Sequence, residues 1–184
     1  IRSCGSNKPL FWDPTKNAPR EHSVLRGKDI ETTQTTKDKP MPLNKDMIIT
    51  LRHSWNKAEP TASTLLHRFY ETLFEMEPSV AKMFSGIDMV AQQNKLGAAL
   101  GLVIREVENP GKLLPALQAL GRRHGEIGVT PDQYDIVGAA LLSALDDTLG
   151  DDFCTQTREA WSTAYATVAG TMIAAAEQPI LQSA

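Results

Sequence analysis

Apolar residues recur every three or four positions through most of the chain after Asn44, the spacing typical of amphipathic helices. Met47, Leu51 and Trp55 lie at four-residue intervals, and Asn44 precedes them as a suitable helix N-cap. A wider apolar stripe follows at Leu65, Leu66, Phe69, Tyr70, Leu73 and Phe74. No stretch alternates apolar and polar residues as a half-buried strand would. The pattern therefore predicts an all-α domain.

Proline, glycine and capping residues divide this domain into about seven helices. Pro60 and Thr61 open the second helix, Pro78 begins a short turn, and Thr130 with Pro131 and Gln133 has the features of a helix start. The predicted segments cover residues 44–57, 60–74, 78–84, 89–107, 112–124, 130–149 and 152–177. Segments this unequal do not suit a simple four-helix bundle, so we expect an irregular all-α fold or one that holds a ligand.

The first 44 residues differ from the rest in composition. They contain 5 of the 11 prolines and eight Lys and Arg against five Asp and Glu, which leaves the remaining residues with a net charge of −6. The polar stretch 31–40 predicts a linker, and Leu10-Phe11-Trp12 is an isolated apolar cluster. That cluster either docks on the domain or a partner, or belongs to a loose tail. We expect an extended arm over residues 1–44 and a helical domain over 45–184.

Composition excludes several classes of protein. Hydrophobic residues make up 41% of the 184 residues, which excludes disorder of the whole chain. The net charge is −3 and no cluster of Lys and Arg occurs, so we expect no nucleic-acid partner. No apolar run approaches the roughly 18 residues that a transmembrane helix needs.

Two cysteines, Cys4 and Cys154, are too few for a disulfide framework or a cysteine-rich metal site. We expect two unpaired thiols in a reducing compartment, with a single bridge as the alternative. The predicted location is the cytoplasm. Because the chain begins with Ile1, a targeting segment that has been removed remains an alternative.

Short catalytic motifs are absent from the sequence. It contains no glycine-rich phosphate loop, Cys-x-x-Cys, His-Glu-x-x-His or Gly-x-Ser-x-Gly. The four histidines, His22, His53, His67 and His124, are not spaced three or four residues apart. A zinc site made by protein side chains alone is therefore not expected.

An ordered set of residues carries a family resemblance instead. It comprises Pro78, Phe84, Gln92, Leu96, Leu113-Leu114-Pro115-Ala116, Leu120, Arg123-His124, Tyr134 and Trp161. With the segments 69–84, 113–142 and 160–173, this set resembles the globin family over residues 45–178. The resemblance is strongest to single-domain bacterial globins and to the haem domain of flavohaemoglobins. It implies a globin fold of about seven helices around one haem b, preceded by the extended arm.

The resemblance implies that His124 is the proximal ligand of the haem iron through Nε2. On a helix, its Nδ1–H can donate to the carbonyl of Leu120, one turn earlier. Taken alone, a histidine followed by glycine at a helix end is a solvated cation, which is the alternative.

The other residues that the resemblance assigns to cofactor binding are Phe84, Leu96, Leu120, Arg123, Val129 and Tyr134. Phe84 would pack flat on the haem, with plain core packing as the alternative. Arg123 would pair with a haem propionate or lie in solvent.

Tyr70 and Gln92 correspond to the distal pair of flavohaemoglobin-like globins, with Leu96 on the same helix face as Gln92. A phenol O–H and an amide N–H can both donate to bound O₂. The alternatives are a core tyrosine bonded to a backbone carbonyl and a solvated helix glutamine.

Two further positions bear on activity. Tyr134 corresponds to a proximal tyrosine that helps to orient the histidine in flavohaemoglobins. The carboxylate expected near the end of the last helix falls on Gln178, counted from Trp161, with Glu177 about 100° away around the helix. The sequence therefore predicts a neutral proximal side, unless a one-residue helix shift brings Glu177 in.

The resemblance implies reversible binding of O₂ and of other diatomic gases such as NO and CO, for oxygen binding, transport or storage. One alternative is an NO dioxygenase, an enzyme that would need an external reductase as partner. Another is a globin-fold sensor or assembly subunit that uses residues 1–44 for a protein partner or self-association.

Overall fold

The computed structural model describes residues 43–177, and within them the chain forms seven α-helices and two short 3₁₀ turns. The helices are α1 (Lys45–Ala58), α2 (Ala62–Met76), α3 (Pro78–Met83), α4 (Met89–Glu106), α5 (Pro110–Glu126), α6 (Pro131–Leu149) and α7 (Thr155–Ala176). The 3₁₀ turns cover Glu59–Thr61 and Gly150–Asp152. The all-α prediction is confirmed. Pro60 and Thr61 belong to the first of these turns, so α2 begins two residues later than predicted.

Local chemistry explains where the main helices begin. The Asn44 side chain accepts a hydrogen bond from the Met47 amide at 2.9 Å, which caps α1. Asp88 accepts from the amides of Val90 and Ala91 at the start of α4. At α6 the Gln133 side chain accepts from the Thr130 amide at 3.0 Å and completes a capping box. Each cap satisfies amides that have no partner within the helix.

The main hydrophobic core lies among α1, α2, α6 and α7. Its largest fully buried side chains are Leu51, Leu65, Leu73 and Leu145. The Trp161 indole N–H donates to the Ser54 hydroxyl at 2.9 Å, so one buried hydrogen bond joins α7 to α1. A second, smaller cluster contains Leu113, Leu117, Tyr134, Ala169 and Met172.

Helices α5 and α7 approach each other closely at two glycines of α5. A Cβ atom on Gly121 would overlap the backbone of Met172, including its carbonyl oxygen. A Cβ atom on Gly125 would lie 3.0 Å from the Cβ of Ala176. His124 lies directly before Gly125 on α5. The glycine pair therefore fixes the helix that carries this histidine against α7.

Cys154 precedes α7 and is disulfide-bonded. The expectation of two unpaired thiols is therefore wrong at Cys154, whereas Cys4 lies outside the described residues. The predicted arm before residue 43, which includes the Leu10-Phe11-Trp12 cluster, lies outside the described residues. Gln178 lies outside them as well. Between residues 43 and 177, none of the helices has the length and hydrophobicity needed to cross a membrane.

We predict that Gly121→Ala destabilises the protein by about 3 kcal/mol, because the new methyl group overlaps the α7 backbone, which cannot rotate away. Urea unfolding of the cofactor-free protein measures this free energy. Gly170→Ala is the matched control, since Gly170 lies within α7 with open space around it. The control should gain about 1 kcal/mol from the higher helix propensity of alanine. Equal stability of the two variants would show that α5 and α7 do not pack in this way.

Candidate functional site

A cavity of about 230 Å³ lies among helices α1, α2 and α4–α7. Most of its lining is aliphatic; among the described residues, the lining side chains with nitrogen or oxygen atoms are His124, Tyr134, Tyr165 and Trp161. Five of the residues predicted to contact a cofactor lie together on its wall: Leu96, Leu120, His124, Val129 and Tyr134. The fold thus gathers these residues from α4, α5, α6 and the α5–α6 loop. An apolar cavity with a few convergent polar groups is typical of a ligand site.

His124 lies in the last turn of α5, and its Nδ1 is 2.9 Å from the carbonyl oxygen of Leu120. A carbonyl oxygen only accepts, so Nδ1–H is the donor and the neutral ring keeps a lone pair on Nε2. This is the tautomer that binds a metal through Nε2, with the ring orientation fixed by the other nitrogen. This hydrogen bond therefore leaves Nε2 of His124 available to bind a metal at the cavity wall.

Tyr134 provides the one buried side-chain oxygen or nitrogen in the described chain that lacks a hydrogen-bond partner, its hydroxyl oxygen. The side chain is 7% exposed, and burial raises the pKa of the phenol. Its ring centroid lies 6.2 Å from that of His124. An unsatisfied buried hydroxyl costs about 1–3 kcal/mol, so a hydroxyl in this place is suited to pair with a group that enters the site.

A second pocket of about 200 Å³ adjoins Tyr134 and Val129, which line both spaces. Gly125 and Glu177 line it as well, so the one carboxylate that the described residues contribute to its wall shares this pocket with the last turn of α5. This placement favours the alternative in which Glu177, rather than its neighbour at position 178, supplies a proximal acid.

Of the predicted distal residues, Leu96 lines the cavity, whereas Tyr70 and Gln92 contact each other but do not line it. Tyr70 on α2 is buried, which raises the pKa of its hydroxyl, and hydrogen bonding with the Gln92 side chain on α4 opposes part of that rise. The Phe84 ring lies 5.5 Å from the Tyr70 ring and 5.4 Å from that of Phe74. Tyr70, Gln92 and Phe84 therefore form an aromatic and amide cluster, which we call the distal cluster.

Arg123 is exposed and does not line the cavity. This position suits both alternatives for its guanidinium, since a carboxylate at the mouth of the site would also face solvent.

Sequence reasoning missed the role of Tyr165, which lines the cavity and donates a hydrogen bond from its hydroxyl to the carbonyl of Tyr134. It lies four residues after Trp161 on α7. Its pairing with α6 joins residues 31 positions apart and depends on how the two helices cross. The periodic pattern of one helix cannot show such a contact.

Comparison with known proteins identifies the family. The sequence model of the Globin family matches residues 67–172, which is more than half of the chain. A flavohemoprotein of Rhodopirellula baltica is 35% identical over 114 residues, which cover 61% of this chain and 28% of that protein. A flavohemoprotein of Bacillus subtilis is 30% identical over 112 residues, with coverage of 60% and 28%. The chain thus spans less than a third of the length of these curated relatives.

Solved structures agree with the sequence comparison. A hexacoordinated haem protein from an anhydrobiotic tardigrade shares the fold with a TM-score of 0.68 at 15% identity, covering 74% of this chain and 97% of that one. An engineered carbene transferase from Rhodothermus marinus, provisionally described as a nitric oxide dioxygenase, has a TM-score of 0.66 at 25% identity, with coverage of 73% and 93%. The pattern of helices, the site and these relatives lead to one conclusion: this chain belongs to the globin family.

Proposed function

We propose that the cavity holds one haem b, with Nε2 of His124 as the axial ligand of its iron. The observation that carries this proposal is the His124 ring itself, which is locked by its Nδ1–H bond to Leu120 and lies on an apolar wall. The unpartnered Tyr134 hydroxyl next to it is a second feature that suits a bound group. Leu96, Leu120 and Val129 would contact the macrocycle and exclude water.

When bound, haem supplies an iron centre that takes diatomic gases such as O₂, NO and CO. The chain's own contribution on the distal side would come from Tyr70 and Gln92. These two side chains already interact, and both can donate a hydrogen bond to a polar ligand. Bonds to a charged acceptor contribute about 1.5–3 kcal/mol each, enough to slow the escape of O₂ by a factor of ten or more. We therefore propose reversible gas binding, with O₂ carriage or storage as the role.

One observation favours a second candidate, an NO dioxygenase that receives electrons from an external reductase. Glu177 and Tyr134 line the same pocket beside α5, from which the negative charge of a carboxylate would make the proximal imidazole more anionic. Such a change favours oxygen activation over simple storage. The similarity to relatives named flavohemoprotein, and to the Rhodothermus marinus protein described as a nitric oxide dioxygenase, also supports this candidate. Roles for residues 1–44 in sensing or assembly, and location in the cytoplasm, remain predictions.

We predict that His124→Ala loses tight haem binding, or leaves an iron that added imidazole restores, because the variant lacks the one histidine that the described residues place on the cavity wall. The ferrous-CO absorption spectrum with and without imidazole measures this. His67→Ala serves as the control, since His67 is a solvent-exposed residue of α2. A normal ferrous-CO spectrum of His124→Ala without imidazole would contradict the assignment.

We predict that Tyr70→Phe raises the O₂ dissociation rate by about tenfold or more, and by more than Gln92→Leu does. Tyr70 is held rigidly in the core and its phenol is the stronger acid, whereas half-buried Gln92 can turn outward. Stopped-flow measurement of O₂ release checks both variants, and Gln93→Leu controls for a change on the same helix. Parental rates in both variants would refute the distal assignment.

We predict that Glu177→Gln lowers the iron–histidine stretching frequency of the ferrous protein in resonance Raman spectra, because the pocket beside α5 loses its carboxylate charge. Glu126→Gln removes a charge from the exposed end of α5 and should leave the frequency unchanged. An unchanged frequency in Glu177→Gln would remove the support for the enzyme and leave the gas carrier as the single candidate.

A further inference from the structure

Tyr165 on α7 makes a buried contact with the first turn of α6. Its hydroxyl donates a hydrogen bond to the backbone carbonyl of Tyr134, the fourth residue of that helix. In an α-helix the same carbonyl also accepts from the amide of residue 138, so the Tyr165 hydroxyl is a second donor to it. This bond joins α7 to α6. The capping box at Thr130, by contrast, links residues of the first turn of α6 to one another and is exposed to solvent.

Gly138 makes this approach sterically feasible. A Cβ atom at position 138 would lie 2.6 Å from Cε1 of the Tyr165 ring and 2.9 Å from its Cδ1. Real contacts of this kind do not come so close, so any side chain here would push the ring away from the carbonyl. The absence of a side chain at Gly138 therefore lets the Tyr165 ring lie close to the backbone of α6.

Tyr165 also links the two parts of the hydrophobic core. Among residues 43–177, its ring is the one side chain that packs against both the main core and the smaller cluster that contains Tyr134. Tyr165, Tyr134 and His124 all line the same cavity. Any shift of the first turn of α6 would move the Tyr134 ring relative to the imidazole, 6.2 Å away.

We propose that Tyr165 is a positioning residue that holds Tyr134 in place beside His124 and so tunes the proximal side of the site. The inference rests on the proposed function, since His124 must bind the haem iron for this tuning to matter. Burial raises the pKa of Tyr165, so its hydroxyl stays protonated and keeps its donor role at physiological pH.

The test compares Tyr165→Phe, Tyr134→Phe and the double variant by resonance Raman spectroscopy of the haem-loaded protein. We expect Tyr165→Phe to shift the iron–histidine frequency in the same direction as Tyr134→Phe. The double variant should shift it no further than Tyr134→Phe alone, because the two residues act in series. Thr148→Val is the control, since it removes a hydroxyl that bonds a carbonyl at the opposite end of α6. Additive shifts, or no shift in Tyr165→Phe, would overturn the proposal.

A second measurement separates this proposal from the proposed function. Amide hydrogen exchange of the haem-free protein should be about tenfold faster at Gly138 in Tyr165→Phe than in Thr148→Val, since the carbonyl that Gly138 bonds has lost its anchor to α7. Equal exchange in the two variants would overturn the positioning role. A parent protein that takes up no haem would instead refute the proposed function, whatever the exchange rates.

Discussion

The close packing of α5 on α7 is the constraint on which the site depends. Gly121 and Gly125 leave no room for side chains between the two backbones, so α5 can neither rotate nor slide without losing the contact. His124 lies between these glycines in sequence, so the packing of α5 on α7 also fixes the position of its backbone. Its hydrogen bond to the Leu120 carbonyl then sets the orientation of the ring. A ligand so fixed gives up little conformational entropy when it binds.

The polar groups in this apolar cavity are few and nearly all satisfied. His124 donates to Leu120, Tyr165 donates to the Tyr134 carbonyl, and the Trp161 indole donates to Ser54. Only the Tyr134 hydroxyl has no partner in the described chain. Because an unpaired buried hydroxyl is costly, the exception is informative and lies next to the residue proposed to bind iron. The same cavity wall thus combines exclusion of water with one open hydrogen-bonding position.

The helices and much of the cavity wall could be predicted from the sequence because the evidence is local. The apolar spacing, the Asn44 cap and the bond from His124 to Leu120 all involve residues within one helical turn. The positions of Glu177 and Tyr165 could not be predicted in this way. One residue of error rotates a helical side chain by about 100°, so counting from Trp161 could not choose between positions 177 and 178. The clearance at Gly138 depends on how α6 and α7 cross, which no periodicity records.

Titration of the purified cofactor-free protein with haemin measures directly whether the cavity with His124 binds one haem. We predict saturation at one haem per chain, retention of the haem through gel filtration, and a ferrous form that binds CO reversibly. These results would follow from a single site built on His124 and closed by apolar side chains. Haem that binds without saturation, or that separates from the protein during gel filtration, would contradict the proposal of a single haem site at His124.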